Sequence, residues 1–370
     1  MIRKQLFLPI FSFIFMAPVM GMDDKCMIRF TSNFEENFPY LVNDAYENEH
    51  LNNYAMEQYV FNQKKSIQTM NAAVERGAKV YLTVGAHSEN KMDAYQSTTI
   101  KRDPRIHGKV TVGLDESPSK KKPTKGVLLF GSANTTNQTW KHKAGKPGAQ
   151  FNFEAGIEIK DDMDIIPQAY NMIKSQSPMK PAKEKITIAE SPKKISIYSS
   201  KNTNLNASLA LRLNNAAKRN DKVRVRSMTF SDPEVTNALC ALGPNAELIV
   251  DSAALTSKSI PLLQQIHDAK TLVHVFYPPE GSHAKQHGKD AVIKGEGKNS
   301  YINFTANITA EGDKQRNYQL YIPNNQQVIT DAEEDFEKEK KETIPLPEAL
   351  KRKTEATAQK SIAKKQKIKK

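Results

Sequence analysis

The chain has little of what staples or anchors a protein. Its 370 residues include two cysteines, Cys26 and Cys240, and one tryptophan, Trp140. Two thiols cannot form a disulfide framework or a zinc cage, and no Cys/His cluster falls at ligand spacing, so a cysteine-built metal centre is excluded. If the chain is exported the two could pair, but Cys240 lies in a helix-like apolar stretch and suits a buried thiol equally. Long apolar runs are scarce. After residues 6–20 no stretch approaches the ~20 residues that span a bilayer, which excludes a multi-span membrane protein. No loop is rich in aromatic residues.

Hydrophobic residues make up 38% and charged residues 26% of the chain, as in soluble globular proteins, and the length suggests about two domains. The net charge of +13 is unevenly placed. Residues 351–370 hold nine basic side chains and one acid, Arg3 and Lys4 add two positive charges, and the body between keeps only +3. The global charge therefore does not mark the folded body as a nucleic-acid binder.

Arg3 and Lys4 precede the apolar run at 6–20, and the small Val19 and Gly21 suit the −3 and −1 positions of a cleavage site. Residues 1–21 are expected to be a signal peptide, with an uncleaved anchor as the alternative, and the protein to be exported to a periplasm or secreted. At the other end, residues 331–370 run from acidic to Lys-rich and are expected to be a disordered tail. That tail is either solubilising or drawn to anionic membrane or nucleic acid.

Two internal segments read alike. In the first, Tyr59-Val60-Phe61 suggests a strand, Ile67, Met70, Ala73 and Val74 give helical periodicity over 66–76, Gly77 ends the helix, and residues 80–84 form a second strand. In the second, a strand ends at Phe230 and Ser231-Asp232-Pro233 supplies a cap and first turn. A helix then runs to Leu242 and a strand to Val250, 166 residues after Val84. Such units predict an α/β fold of two tandem sandwich repeats, each a mixed sheet flanked by helices. The proline- and lysine-containing stretch 176–194 reads as a linker. The expected organisation is a first repeat over 22–175 and a second over 195–330.

Behind each unit the same order of residues recurs. The first has His107-Gly108-Lys109, a strand, Gly131-Ser132-Ala133-Asn134 and Asn152-Phe153-Glu154. The second has His283-Ala284-Lys285 and His287-Gly288-Lys289, then Thr305-Ala306-Asn307 and Asn317-Tyr318-Gln319. One His-x-Lys is a weak signal in a lysine-rich chain, but the repeated order is not easily accidental. Alternate strand residues share a face, so a histidine and its lysine can enter one pocket. Imidazole can act as nucleophile in one copy and proton donor in the other, while lysine and asparagine offer donors to phosphate oxygens. An acid can orient an imidazole through its second N–H.

The doubled His-x-Lys with Gly-Ser-x-Asn resembles the phospholipase D superfamily, the HKD phosphodiesterases, over about residues 52–322. The resemblance implies a pseudo-dimer with one active site at the seam, no metal or other cofactor, and a two-step reaction through a phosphohistidine. Carried over by residue, it implies His107, Lys109, Ser132, Asn134 and Glu154 in one half-site, and a His-x-Lys with Thr305, Asn307 and Gln319 in the other. For the second pair, His287 and Lys289 lead directly into an apolar strand, whereas His283 and Lys285 place Asp290 where the longer family pattern has an aspartate. The first copy lacks that aspartate, and Gln319 stands for an acid. With Glu154 behind it, His107 would be the nucleophile and His287 the acid. The implied activities are an exported phospholipid hydrolase yielding phosphatidate and a head group, an exported nuclease, or a catalytically impaired binding relative. The internal duplication makes a monomer sufficient to build the site.

Overall fold

The computed structural model describes residues 26–31, 51–59, 64–85, 99–115, 122–133, 152–174, 194–278, 284–309 and 312–368. The expected signal peptide, nearly all of the linker, Asn134 and His283 lie outside them.

The first half holds β1 (Met27–Thr31), β2 (Asn53–Gln58), α1 (Lys64–Glu75), β3 (Lys79–Val84), β4 (Thr99–Arg102), β5 (Lys109–Leu114), β6 (Gly126–Gly131), β7 (Asn152–Phe153), β8 (Gly156–Lys160) and α2 (Ile166–Lys174). The second half holds β9 (Ser196–Ser199), α3 (Leu205–Arg219), β10 (Lys222–Ser227), α4 (Pro233–Leu242), β11 (Ala246–Asp251), α5 (Ser259–Asp268) and β12 (Leu272–Phe276). It continues with β13 (Lys285–Gln286), β14 (Asp290–Lys294), β15 (Ser300–Phe304), β16 (Tyr318–Pro323), α6 (Gln326–Lys340), β17 (Thr343–Pro345) and α7 (Leu346–Ile368).

The strands form a seven-stranded sheet, β1-β8-β6-β5-β2-β3-β4, and an eight-stranded sheet, β17-β12-β11-β10-β14-β15-β16-β9. Read from opposite ends, the two orders coincide, with β17 as one extra edge strand. The directions coincide too: β2-β3 and β10-β11 are parallel, while β2-β5 and β10-β14 are antiparallel. This is the mixed α/β architecture that the strand–helix–strand units imply. A third, two-stranded ladder joins the halves by pairing β13 with β7.

Alternation along the strands sorts the core. Val110, Val112, Leu128 and Phe130 of the first sheet meet Val292, Leu320 and Ile322 of the second in one shared cluster, with α2 and α6 contributing Ile166, Tyr170, Val328 and Ile329. The outward residues pack elsewhere: Val127 and Leu129 against α1, and Ala291, Ile293 and Ile302 with α3 and α4. The halves are thus bound by an apolar core, and the site lies at its edge.

Local signals explain several boundaries. Asp232 caps α4 by accepting from the Val235 N–H, and Pro233 occupies the first turn. Gly77 ends α1 at φ +96°, a conformation that favours glycine. Two expectations need correction. The strand ahead of α1 is Asn53–Gln58, earlier than expected, and its polar Asn53, Glu57 and Gln58 are all buried; Val60 and Phe61 lie outside the described residues. The expected disordered tail is helical through α6 and α7. Val328, Ile329, Ala332 and Phe336 recur at helical spacing among the acids and are buried, which favours the fold by about 1.5–3 kcal/mol for each large side chain. No disulfide joins Cys26 to Cys240. No helix among the described residues is long and apolar enough to cross a membrane.

Candidate active site at the seam of the two sheets

Each half brings a histidine just ahead of a central strand. His107 precedes β5 and His287 precedes β14, each followed by glycine and a buried lysine. Register confirms the equivalence: Glu57 pairs with Val110, one residue after Lys109, and Arg226 pairs with Asp290, one residue after Lys289. In both copies the ammonium turns back on its own motif. Lys109 Nζ donates to the His107 carbonyl at 2.5 Å, and Lys289 Nζ to the His287 carbonyl at 2.6 Å.

The histidines are backed across the seam. His287 Nδ1 donates to Glu154 Oε2 at 2.8 Å, and the same oxygen accepts from Ser132 Oγ at 2.5 Å. A carboxylate acceptor places the proton on Nδ1 and leaves the Nε2 lone pair for chemistry. His287 keeps 12% side-chain exposure while Glu154 keeps 1%. His107 Nδ1 lies 3.0 Å from the Thr305 carbonyl and 3.2 Å from Asn317 Oδ1. The Asn317 amide is oriented by its own bonds, Nδ2 donating to the Gly312 carbonyl at 2.7 Å and Oδ1 accepting from Thr305 Oγ1 at 3.1 Å. The two backing sets are therefore equivalent: Ser132 with Glu154, and Thr305 with Asn317. The Ala155 and Tyr318 N–H groups donate to the respective hydroxyls at 3.0 and 2.9 Å.

This geometry corrects the pairing taken from sequence. Glu154 backs His287, not His107, because each half supplies the acceptor for the other half's imidazole. The counterpart of Glu154 is Asn317. Gln319 lies two residues further on, inside β16, and accepts from Ser208 Oγ of α3 at 2.8 Å, away from either histidine. Asn307 follows β15, and its Oδ1 is buried with no hydrogen-bond partner among the described residues. Of the alternative pair, Lys285 is exposed on the β13–β7 ladder.

Three further residues escaped the sequence reading. The Tyr59 ring lies 4.8 Å from the His107 ring, with Lys109 Nζ 5.5 Å from its centre. Glu57 accepts from Arg316 Nη1 at 3.2 Å and from Tyr318 Oη at 2.9 Å. A buried acid and arginine far apart in sequence leave no local pattern that would reveal them.

The electrostatics suit an anion. Burial pushes Lys289 down to about 8 against the pull of Glu154 and Asp251. Burial and the neighbouring Lys289 hold Lys109 well below its usual range. Burial, then Lys109, Lys289 and His287, hold His107 well below 6.5. Burial brings His287 down to about 4 despite Glu154. Burial alone would raise Glu154, but His287, Lys289 and the Ser132 hydroxyl hold it low. Unbound, the site holds neutral imidazoles over crowded lysines, and a phosphate would relieve that crowding. Among the described residues no group of three or more His, Cys, Asp or Glu side chains could hold a metal ion.

No family model and no curated protein sequence matches the chain. Solved structures do. Phosphatidylserine synthase from Haemophilus influenzae Rd KW20 is similar at TM-score 0.60 and 12% identity, over 92% of this chain and 93% of that one. Polyphosphate kinase from Porphyromonas gingivalis is similar at TM-score 0.59 and 14% identity, over 84% of this chain. The match covers 46% of that kinase, so this chain spans about half its length. The two matching sheets and these likenesses show that the chain shares the fold of these two enzymes, with both halves in one polypeptide, as the resemblance to the phospholipase D superfamily implied for the fold.

Proposed function

We propose that the protein is a phosphodiesterase that works through a phosphohistidine, with a phospholipid as its substrate. One observation carries this reading: two imidazoles, each tied at Nδ1 by the opposite half, stand above two buried lysines in a single positively charged site.

Lys109 and Lys289 would hold the non-bridging oxygens, with the free Oδ1 of Asn307 positioning a donor on the substrate. Nε2 of His287 attacks phosphorus and the N–P bond forms as the P–O bond to the leaving group breaks. Glu154 stabilises the positive charge that develops on that ring. His107 gives its Nε2 proton to the leaving oxygen. It then takes a proton from water, whose oxygen attacks phosphorus, and the N–P bond breaks to return the lone pair to His287. His107 needs a proton that the unbound site disfavours, and the negative charge of a bound diester supplies the bias. This reverses the roles the sequence suggested, because the carboxylate stands behind His287.

The full-length likeness to an enzyme named for phosphatidylserine supports lipid over nucleic acid. The apolar run behind Arg3 and Lys4 supports export, and the site's completeness within one chain supports a monomer. The products would be phosphatidate and a free head group. Purified protein incubated with EDTA on phosphatidylcholine and on single-stranded DNA tests this. Release of choline is expected. Cleavage of DNA alone would replace lipid with nucleic acid, and activity on neither would overturn the enzymatic reading.

A further inference from the structure

His107 has no carboxylate behind it and sits outside regular strand, in the connection between β4 and β5. Its ring meets Thr305, Asn317 and Tyr59, but the backbone that carries it is held by one residue of the other half. Arg316 makes an isolated parallel bridge to Ile106. Its carbonyl accepts from the His107 N–H at 3.0 Å, and its own N–H donates to the Arg105 carbonyl at 2.7 Å. Its guanidinium, 5% exposed with the rest of the residue, forks between two acids of the first half. Nη1 reaches Glu57 at 3.2 Å and Nη2 reaches Asp103 at 3.2 Å. Asp103 is held in turn by Arg105 at 2.9 and 3.1 Å. The next residue, Asn317, is the one that meets His107 Nδ1.

We infer that Arg316 is a positioning residue that latches His107 to the opposite half, and that it acts on the proton-transfer role of His107 rather than on substrate affinity. The inference rests on the catalytic roles proposed above. Two features show that the latch belongs to one half-site only. The residue equivalent to Arg316 by register is Phe153, since Gln286 pairs with Phe153 as Ile106 pairs with Arg316. And Gly108, between the histidine and the lysine, is packed on the latch: a Cβ there would stand 2.6 Å from Glu57 Oε1 and 2.8 Å from the Tyr318 ring, while one at Gly288 would meet nothing nearer than 3.3 Å. A carboxylate steadies one imidazole and a buried ion network steadies the other.

The test exploits leaving-group chemistry. A p-nitrophenolate departs without a proton, whereas an alkoxide needs one. For Arg316→Met, the single-turnover rate of leaving-group release from an alkyl phosphodiester should fall about 30-fold or more, while the p-nitrophenol burst rate from bis(p-nitrophenyl) phosphate stays within about threefold and KM is unchanged on both. If Arg316→Met does not fold, Arg316→Lys serves, since it keeps the charge but cannot bridge both acids. Its loss should be about tenfold and confined to the alkyl ester. Equal losses on both esters, or a rise in KM alone, would overturn the latch. A second readout is independent of turnover. The nitrogen shifts of the His107 ring should report a fixed Nδ1–H tautomer in the native protein and a mixed one in either variant, and an unchanged tautomer would overturn the proposal. Should the native protein hydrolyse neither ester, the catalytic reading falls while the ring spectrum still decides the latch.

Discussion

Replacing Glu154 by glutamine removes one charge and almost no volume. In the structure Oε2 of Glu154 receives both the His287 Nδ1–H at 2.8 Å and the Ser132 hydroxyl at 2.5 Å, with the carboxylate buried. Glutamine can still accept from His287, so ring orientation survives, and what is lost is the charge-assisted part of the bond. Hydrogen bonds to charged groups contribute about 1.5–3 kcal/mol. If that contribution is made as positive charge develops on His287, kcat falls roughly 10- to 150-fold. KM should move by less than about threefold, because Glu154 does not touch the substrate in this scheme. The assay is a single-turnover burst of p-nitrophenol from an activated diester. That leaving group needs no acid, so the burst reports the nucleophilic step alone. A burst slowed by less than about threefold would refute the assignment of the carboxylate to the nucleophile.

Four other outcomes follow from the same geometry. On an activated diester, whose leaving group needs no proton from His107, the profile of kcat/KM should be bell-shaped: activity is lost as pH falls through about 4, where His287 takes up a proton, and again as it rises through about 8, where Lys289 loses one. The His287 shift also makes the fold less stable on acidification, because between the ordinary 6.5 and about 4 the unfolded chain binds a proton that the folded ring refuses. Thermal unfolding should separate the two motif glycines, with Gly108→Ala costing about 1–3 kcal/mol through its clash with Glu57 and Tyr318, and Gly288→Ala costing less than about 1 kcal/mol. Turnover should be unaffected by EDTA, since every group given a role is a side chain, and loss of activity restored by a divalent cation would contradict this.

Much of the fold was legible because it is written twice. The strand–helix–strand units around Val84 and Val250 correspond to β3 and β11 in equivalent sheet positions. The repeated His-Gly-Lys marks the starts of β5 and β14. What the sequence concealed has physical causes. Residues Asn53–Gln58 form a buried central strand although half of them are polar, and Arg316 and Tyr318, some 260 positions away, donate to Glu57 Oε2. Apolar runs alone therefore pointed to Tyr59-Val60-Phe61. Matching Asn152-x-Glu154 with Asn317-x-Gln319 gave a register two residues out. The equivalent bonds of Ser132 and Thr305, with the register of Phe153 and Arg316, show Asn317 as the counterpart of Glu154. The backing across the seam could not be read from either repeat by itself, since each acceptor lies in the half that lacks its histidine. Across α6, which runs into the expected tail, acidic composition outweighed the spacing of Val328, Ile329, Ala332 and Phe336.

The central claim is that His287 carries the phosphoryl group and His107 moves the protons. The most direct measurement mixes native protein with an activated diester, quenches the steady state in alkali to preserve any N–P bond, and locates the adduct by mass spectrometry of the digest. An adduct on the peptide containing His287 is the expected result. An adduct on His107, or none at all during turnover, would contradict it.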